Sequence, residues 1–553
     1  MNYPVFLPEI SPNGRSMPPR VPQGAHRHAA PSGPWPWADL VEDGGLFVLK
    51  PLKEALPNSS EKEKDLWRRY PSNLFPNWNI ARVGKSGIGE LIHTDPDKAG
   101  ACVIYYNDMT LDGQFTQPRE FSVRKGNEDE FWDIMKERER KNRVRVLFVE
   151  NLSGSVLQML GTMFKIEPFF FSSSLNWIPS RYQEDVRQNQ GDHITITLTF
   201  LRTMQNPMTA PNTPATGGNF FSQTVSRVGT ATIDTQAPLT LRSNDRILLL
   251  DLLAFHMVRD KDGSTIISYP PAPEWKSTSA QYLHSRVRIA GESVYWQSLF
   301  RSSKDPTLVM LCMLWYALYA WDEALENLYV HICWLESRVL VRNDIHLTRE
   351  LHIIRASLLH YASLLESFRK TVFFLRNTPN PAMQDLPDFN DSTQIMNREC
   401  DTLVSEIDRL EMFRGMQEMR LANVINLAFA SVNLDDSRYM QRLSAAAFRD
   451  GAAMKQISYL TMIFLPASFV ASLFGMNINS LQDSTHGTWA HYLEIAIPLT
   501  ALTIWIAVGL HSNRVGRDES EGSVLYRLQW PLHFVTRLMR RSGKREDAFE
   551  GVV

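Results

Sequence analysis

The residues with the clearest chemistry sit at the end of an apolar stretch and read Gly475-Met476-Asn477. An asparagine at such an exit presents a neutral carbonyl oxygen. A ring of these carbonyls from several subunits offers acceptors to the waters around a small divalent cation. Mg²⁺ fits that surrounding, because it prefers octahedral oxygen coordination and sheds its waters reluctantly. A ring of carboxylates at the same place holds the ion too tightly for flow. Gly475 lets the backbone turn there and present its own carbonyl. Upstream, Ser468, Leu465, Thr461, Ile457, Met454 and Asp450 follow one another at helical steps and share one face. Ser468 and Thr461 suit a wet lining. Leu465, Ile457 and Met454 suit a constriction that closes by dewetting. Asp450 suits a cation-attracting ring at the inner mouth. The competing use of this stripe is packing against neighbouring helices.

Other candidates carry less. His486 and His491 have a spacing open to a softer metal, and solvated loop histidines have the same spacing. Gly84-Lys85-Ser86 resembles the end of a phosphate-binding loop, but Asn79 stands where the first glycine belongs. Gly84, Gly87 and Gly89 do not make a dinucleotide fingerprint, and no metalloprotease or nucleophile-elbow motif occurs. No enzyme is expected. The four cysteines, Cys102, Cys312, Cys333 and Cys400, form no C-x-x-C pair, which argues against a disulfide framework and a thiolate zinc site. The formal net charge of −2 leaves no nucleic-acid footprint.

The elements that must position the stripe are helices. Gln456 to Gln482 holds no charged residue, and Ile457–Met476 supplies the ~20 apolar residues a spanning helix needs. Pro466 within it is tolerable in a membrane, where neighbouring groups satisfy the freed backbone. A second segment, Tyr492–Leu510, has Glu494 as its only charge, with Trp489 and Tyr492 placed for an interfacial belt. The loop between them lacks Lys and Arg. Arg438, Arg442, Arg449 and Lys455 precede the first span, and Arg514 and Arg517 follow the second. The charge bias puts both termini in the cytoplasm. The mean hydropathy of −0.24 hides these spans, because the rest of the chain is polar.

The sequence therefore divides into eight predicted parts. Residues 1–37 form a disordered arm with no signal peptide. An α/β cytoplasmic domain follows at 38–275 and a helical region at 276–391. A stalk helix spans 392–456, with Ser392 or Thr393 as its N-cap. The first membrane helix is 457–477, the external loop 478–491 and the second membrane helix 492–511. A basic tail, 512–553, ends the chain, and its block Val524–Arg541 suits the cytoplasmic leaflet or a solvated charged tail. Within the first domain, Val144–Val149 and the alternating His193–Leu201 predict strands. Arg246–Phe255 leaves strand or helix open. Leu308–Trp321 is uncharged but too short to span, and predicts a buried core helix. If the stalk runs unbroken to Phe474, it is ~120 Å long.

Phe474-Gly475-Met476-Asn477 after a proline-containing first span, with a short loop and one more span, resembles the CorA-type Mg²⁺ transporters. Leu460-Thr461 and Ile463-Phe464-Leu465-Pro466 look like that family's first membrane helix. Phe148-Val149-Glu150-Asn151-Leu152 and the helical block Leu308–Leu340 are similar to fungal CorA-like proteins. The close match is confined to the membrane region. The resemblance implies an α+β cytoplasmic domain, a long stalk helix and a two-helix transmembrane hairpin, assembled as a homopentameric channel. It implies Gly475-Met476-Asn477 as the ion filter and Mg²⁺ as the transported ion, with no cofactor. It also implies Mg²⁺ bound between cytoplasmic domains as a regulator, for which Asp435-Asp436 is the candidate pair; a solvated helix face is the competing reading. The Met-Pro-Glu type loop of bacterial members is absent here, and Asp483 with Glu494 would make the negative collar instead. The expected partners are membrane lipid and divalent cations, and the expected address is the plasma membrane. Two other functions compete: a Zn²⁺ transporter of the same superfamily, and a membrane-anchored cytoplasmic sensor or scaffold without transport.

Overall fold

A computed structural model describes residues 21, 63–78, 80–94, 100–139, 141–208, 233–270, 279–341, 345–475 and 489–511. The chain separates into two compact units, Met1–Ser431 and Val432–Val553.

The first unit is built on an eight-stranded sheet. Its strands are β1 (Cys102–Thr110), β2 (Arg119–Val123), β3 (Asn142–Glu150), β4 (Ser180–Arg187), β5 (Gly191–Gln205), β6 (Leu239–Leu241), β7 (Arg246–Asp260) and β8 (Ser264–Ser268). The order is β2-β1-β3-β8-β7-β5-β4, with β6 added on β7. Among the described residues only the β3–β8 pair is parallel. The leucine-rich segment after Arg246 is therefore a strand, paired with β5 along its whole length from Gln205↔Arg246 to Gly191↔Asp260. Both faces of β7 are covered, so it needs no polar alternation.

Short helices cover one face: α1 (Ile80–Lys85), α2 (Ile88–His93), α3 (Glu128–Lys136), α4 (Gly154–Met163) and α5 (Phe169–Leu175). Trp78, Phe131, Leu157, Phe170 and Phe171 form the core on that side. The other face carries α6 (Ala280–Gly291), α7 (Val294–Ser302), α8 (Thr307–Val341), α9 (Ile345–Arg376) and the first part of α10 (Phe389–Gly475). Phe148, Phe200 and Phe255 from the sheet meet Trp321, Leu325, Phe368 and Leu403 from these helices in a second core. In α8, 67% of the most apolar stretch is buried inside the chain, against 11% in α10. The first is a core helix, although at 35 residues it runs well beyond the short uncharged stretch Leu308–Trp321 that predicted one; the second keeps its apolar surface outward.

α10 starts three residues before the predicted stalk. The Ser392 N–H already bonds the Asp388 carbonyl, so Ser392 lies inside the helix. Its hydroxyl pairs with that of Ser303 rather than capping. The helix then runs 87 residues to Gly475 with Pro466 inside it. α11 (Trp489–His511) is the other apolar helix of the second unit.

A fully buried ion pair clamps the second core. Arg259 Nε donates to Asp192 Oδ1 at 2.6 Å, and neither side chain has any exposure. The same guanidinium donates to Thr307 Oγ1 at 3.2 Å and to the Thr378 carbonyl at 3.1 Å. One side chain thus ties the sheet to the start of α8 and the end of α9.

Candidate functional site

In the second unit the stripe on α10 faces outward. Asp450, Met454, Ile457, Thr461, Leu465 and Ser468 are all exposed on the single chain. Met454, Ile457 and Leu465 are each more than half exposed, although a water-soluble helix buries such residues. Thr461 Oγ1 donates to the carbonyls of Ile457 and Ser458, at 3.1 and 2.9 Å. Ser468 Oγ donates to the Leu465 carbonyl at 3.0 Å. With the hydroxyl protons turned back to the backbone, the oxygens keep lone pairs for an acceptor role. Phe389–Gly475 ends on an exposed Gly475. Met476, Asn477, Asp483 and His486 lie outside the described residues.

α11 packs on α10 through Tyr492. Its hydroxyl donates to the Ala467 carbonyl at 3.1 Å, and its ring stands edge-on to Phe474 at 6.4 Å. Val470 and Ala496 are buried, whereas Leu493, Ile495, Ile497, Leu502 and Ile506 remain exposed. Glu494 is exposed near the start of α11. At about 1.5 Å per residue the 23 residues of α11 suffice for the ~30 Å hydrocarbon layer. Asp435 and Asp436 are exposed on α10, and Asp435 lies 3.6 Å from Arg438 one turn on. Gly84-Lys85-Ser86 forms the end of α1 and the turn after it, with Ser86 Oγ donating to the Val83 carbonyl at 2.9 Å, so it is no phosphate loop.

A second constellation lies in the sheet, and sequence reading missed it. The register sets Glu184 of β4 opposite His193 of β5. It sets Thr195 of β5 opposite both Tyr182 of β4 and His256 of β7. Directly opposed residues share a face, here the one covered by α5, where Phe170 lies 5.4 Å from the His256 ring. One donor atom from each of Glu184, His193 and His256 lies within 4.8 Å of the others. His256 Nδ1 is 2.9 Å from Thr195 Oγ1, and its buried Nε2 has no hydrogen-bond partner among the described residues. Burial holds His256 well below the usual imidazole range, reinforced by His193. Burial likewise lowers His193. Burial, with Glu167 and Asp185 nearby, pushes the Glu184 carboxyl up to about 8. These residues come from three strands, so no local spacing marks them. The one visible signal is a histidine inside the apolar run Leu252–Val258.

A family model described as CorA-like Mg²⁺ transporter protein matches residues 295–511, from α7 to the end of α11. No curated protein matches the chain. Among solved structures, the CorA magnesium transporter of Methanocaldococcus jannaschii aligns at 13% identity and TM-score 0.39, over 75% of this chain and 98% of that one. The full-length CmaX protein aligns at 13% identity and TM-score 0.36, over 73% and 97%. The ZntB cytoplasmic domain of Vibrio parahaemolyticus aligns at 10% identity and TM-score 0.32, over 60% and 99%. Residues 295–511 of the chain are thus similar to the CorA-like Mg²⁺ transporter family.

Proposed function

We propose that the chain assembles as a homopentameric channel that passes hydrated Mg²⁺ down its electrochemical gradient. The observation that carries this reading is the outward face of α10. Asp450, Met454, Ile457, Thr461, Leu465 and Ser468 are all exposed among the described residues. They alternate hydroxyl oxygens with bulky apolar groups and end on an acid. One hairpin encloses nothing, so the stripe acquires an inside only when copies surround it. Thr461 and Ser468 then offer lone pairs to the water shell of the ion. Leu465, Ile457 and Met454 form the dewetting gate, and Asp450 gathers cations at the cytoplasmic mouth.

Gly475, Met476 and Asn477 supply the outer filter, with Asn477 carbonyls accepting from the ion's bound waters. Asp483 and Glu494, repeated around the ring, raise the local cation concentration. The protein sits in the plasma membrane with both termini in the cytoplasm. Asp435 and Asp436 hold a regulatory Mg²⁺ through its waters, which suits their exposed positions.

Native mass measurement of the detergent-solubilised full chain tests the assembly. The expected particle is about five times the 63.4 kDa chain. A monomer or dimer as the largest species removes the enclosed pore and with it this reading.

A further inference from the structure

The sheet-domain constellation has the chemistry of a metal site that is separate from the pore. A neutral imidazole has one N–H and one lone pair. When His256 Nδ1–H donates to Thr195 Oγ1, the lone pair falls on Nε2, the atom that has no partner among the described residues. An outer hydrogen bond of this kind fixes the tautomer and orientation of a metal-binding histidine. His256 is 0% exposed and His193 3%, so neither ring is a solvated surface group.

We propose that Glu184, His193 and His256 bind a divalent transition-metal ion of Zn²⁺ type between β4, β5 and β7. Their donor atoms lie within 4.8 Å of one another. Tetrahedral ligands at the usual 2.0–2.1 Å from zinc stand about 3.3 Å apart, so side-chain rotations of roughly 1 Å close the site. Two imidazoles and one carboxylate leave the fourth position to water. Mg²⁺ is a poor fit, because it wants an octahedron of oxygens.

The electrostatics agree with this geometry. Burial keeps both imidazoles neutral, which is the metal-binding form. Among the described residues no Lys or Arg pairs with Glu184, and its carboxyl resists ionisation. A bound dication supplies the missing counter-charge. β4 is the edge strand, and Glu184 is half-buried where Asp185 to Arg187 become exposed. The ion thus reaches the buried rings from the sheet edge.

The test titrates the chelator-stripped full chain in detergent with Zn²⁺ alone, and in parallel with Co²⁺ alone. The wild type is expected to bind one Zn²⁺ more than Glu184→Gln or His193→Asn, and Co²⁺ is expected to give a visible ligand-field band that both variants lose. Losing an outer-shell partner costs 10–100-fold in affinity, so losing a ligand is expected to weaken this site by more than about 100-fold. Histidines elsewhere, such as His26, His28 and His486, are common to all three proteins and cancel in the difference. Glu184→Gln keeps its size at a half-exposed edge, so it decides the matter if His193→Asn does not fold. Equal Zn²⁺ stoichiometry and affinity in wild type and Glu184→Gln overturns the site. Displacement of Zn²⁺ by equimolar Mg²⁺ overturns its transition-metal character. Binding is read without transport, so either failure leaves the channel reading untouched.

Discussion

Asn477→Ala is expected to reduce Mg²⁺ uptake by reconstituted vesicles to the level of protein-free vesicles. The physical reason is the mismatch between a strongly hydrated ion and a methyl group. Mg²⁺ enters only if something accepts hydrogen bonds from its waters at the mouth. A ring of asparagine carbonyls does this without net charge, so the ion also leaves. Alanine leaves those waters unpaired against an apolar wall, and in the proposed pentamer Leu465 and Ile457 would add further apolar rings below. Asn477→Asp tests the other side of the same balance. Five added carboxylates are expected to retain the ion and slow its flux while strengthening binding. A normal, selective flux in Asn477→Ala removes the filter from this residue, and the assembled state of the variant, checked by its native mass, separates that from failure to assemble.

The largest stability effect is expected at the buried Arg259–Asp192 pair. Arg259→Met leaves the Asp192 carboxylate buried and removes the donor to the Thr378 carbonyl and Thr307 hydroxyl. Breaking one side of a buried pair costs about 3–5 kcal/mol. The first unit then unfolds at a clearly lower urea concentration, read by tryptophan fluorescence on the full chain in detergent. Asp192→Ala acts in the same direction, because the guanidinium is then buried without its charge partner. The double variant Arg259→Met, Asp192→Leu is expected to recover much of the loss, since well-packed apolar replacements of a buried pair are often near neutral. A double variant as unstable as the two losses summed assigns the effect to packing rather than to the orphaned charge.

Much of the membrane portion was legible because its physics is local. A charge-free run of bilayer length, flanked by basic residues, announces itself in consecutive letters, and the apolar stretch of α10 does stay unburied within the chain. The absence of charge in Leu308–Trp321 was equally visible, and its limited length pointed to the core helix that α8 is. The stalk's start was misjudged because Ser392 and Thr393 look like caps, while Ser303, far away in sequence, takes the Ser392 hydroxyl. β7 stayed ambiguous because a strand covered on both faces loses the alternation that marks half-buried strands. The histidine–glutamate constellation was invisible for a topological reason. Glu184, His193 and His256 meet only through the register of β4, β5 and β7, which no local pattern encodes. The Arg259–Asp192 pair is hidden in the same way, its members being brought together by the β5–β7 pairing.

The most direct measurement is ion uptake by vesicles carrying the purified wild-type chain. Mg²⁺- or Zn²⁺-sensitive dyes are trapped inside, and either a negative internal potential or a proton gradient is imposed. The expected result is Mg²⁺ uptake that follows the potential, ignores the proton gradient and is blocked by cobalt hexaammine, a mimic of the hydrated ion. Zn²⁺ uptake driven by the proton gradient, with no Mg²⁺ uptake at any potential, contradicts the Mg²⁺ channel and leaves a zinc transporter. No uptake of either ion by pentameric protein contradicts transport altogether.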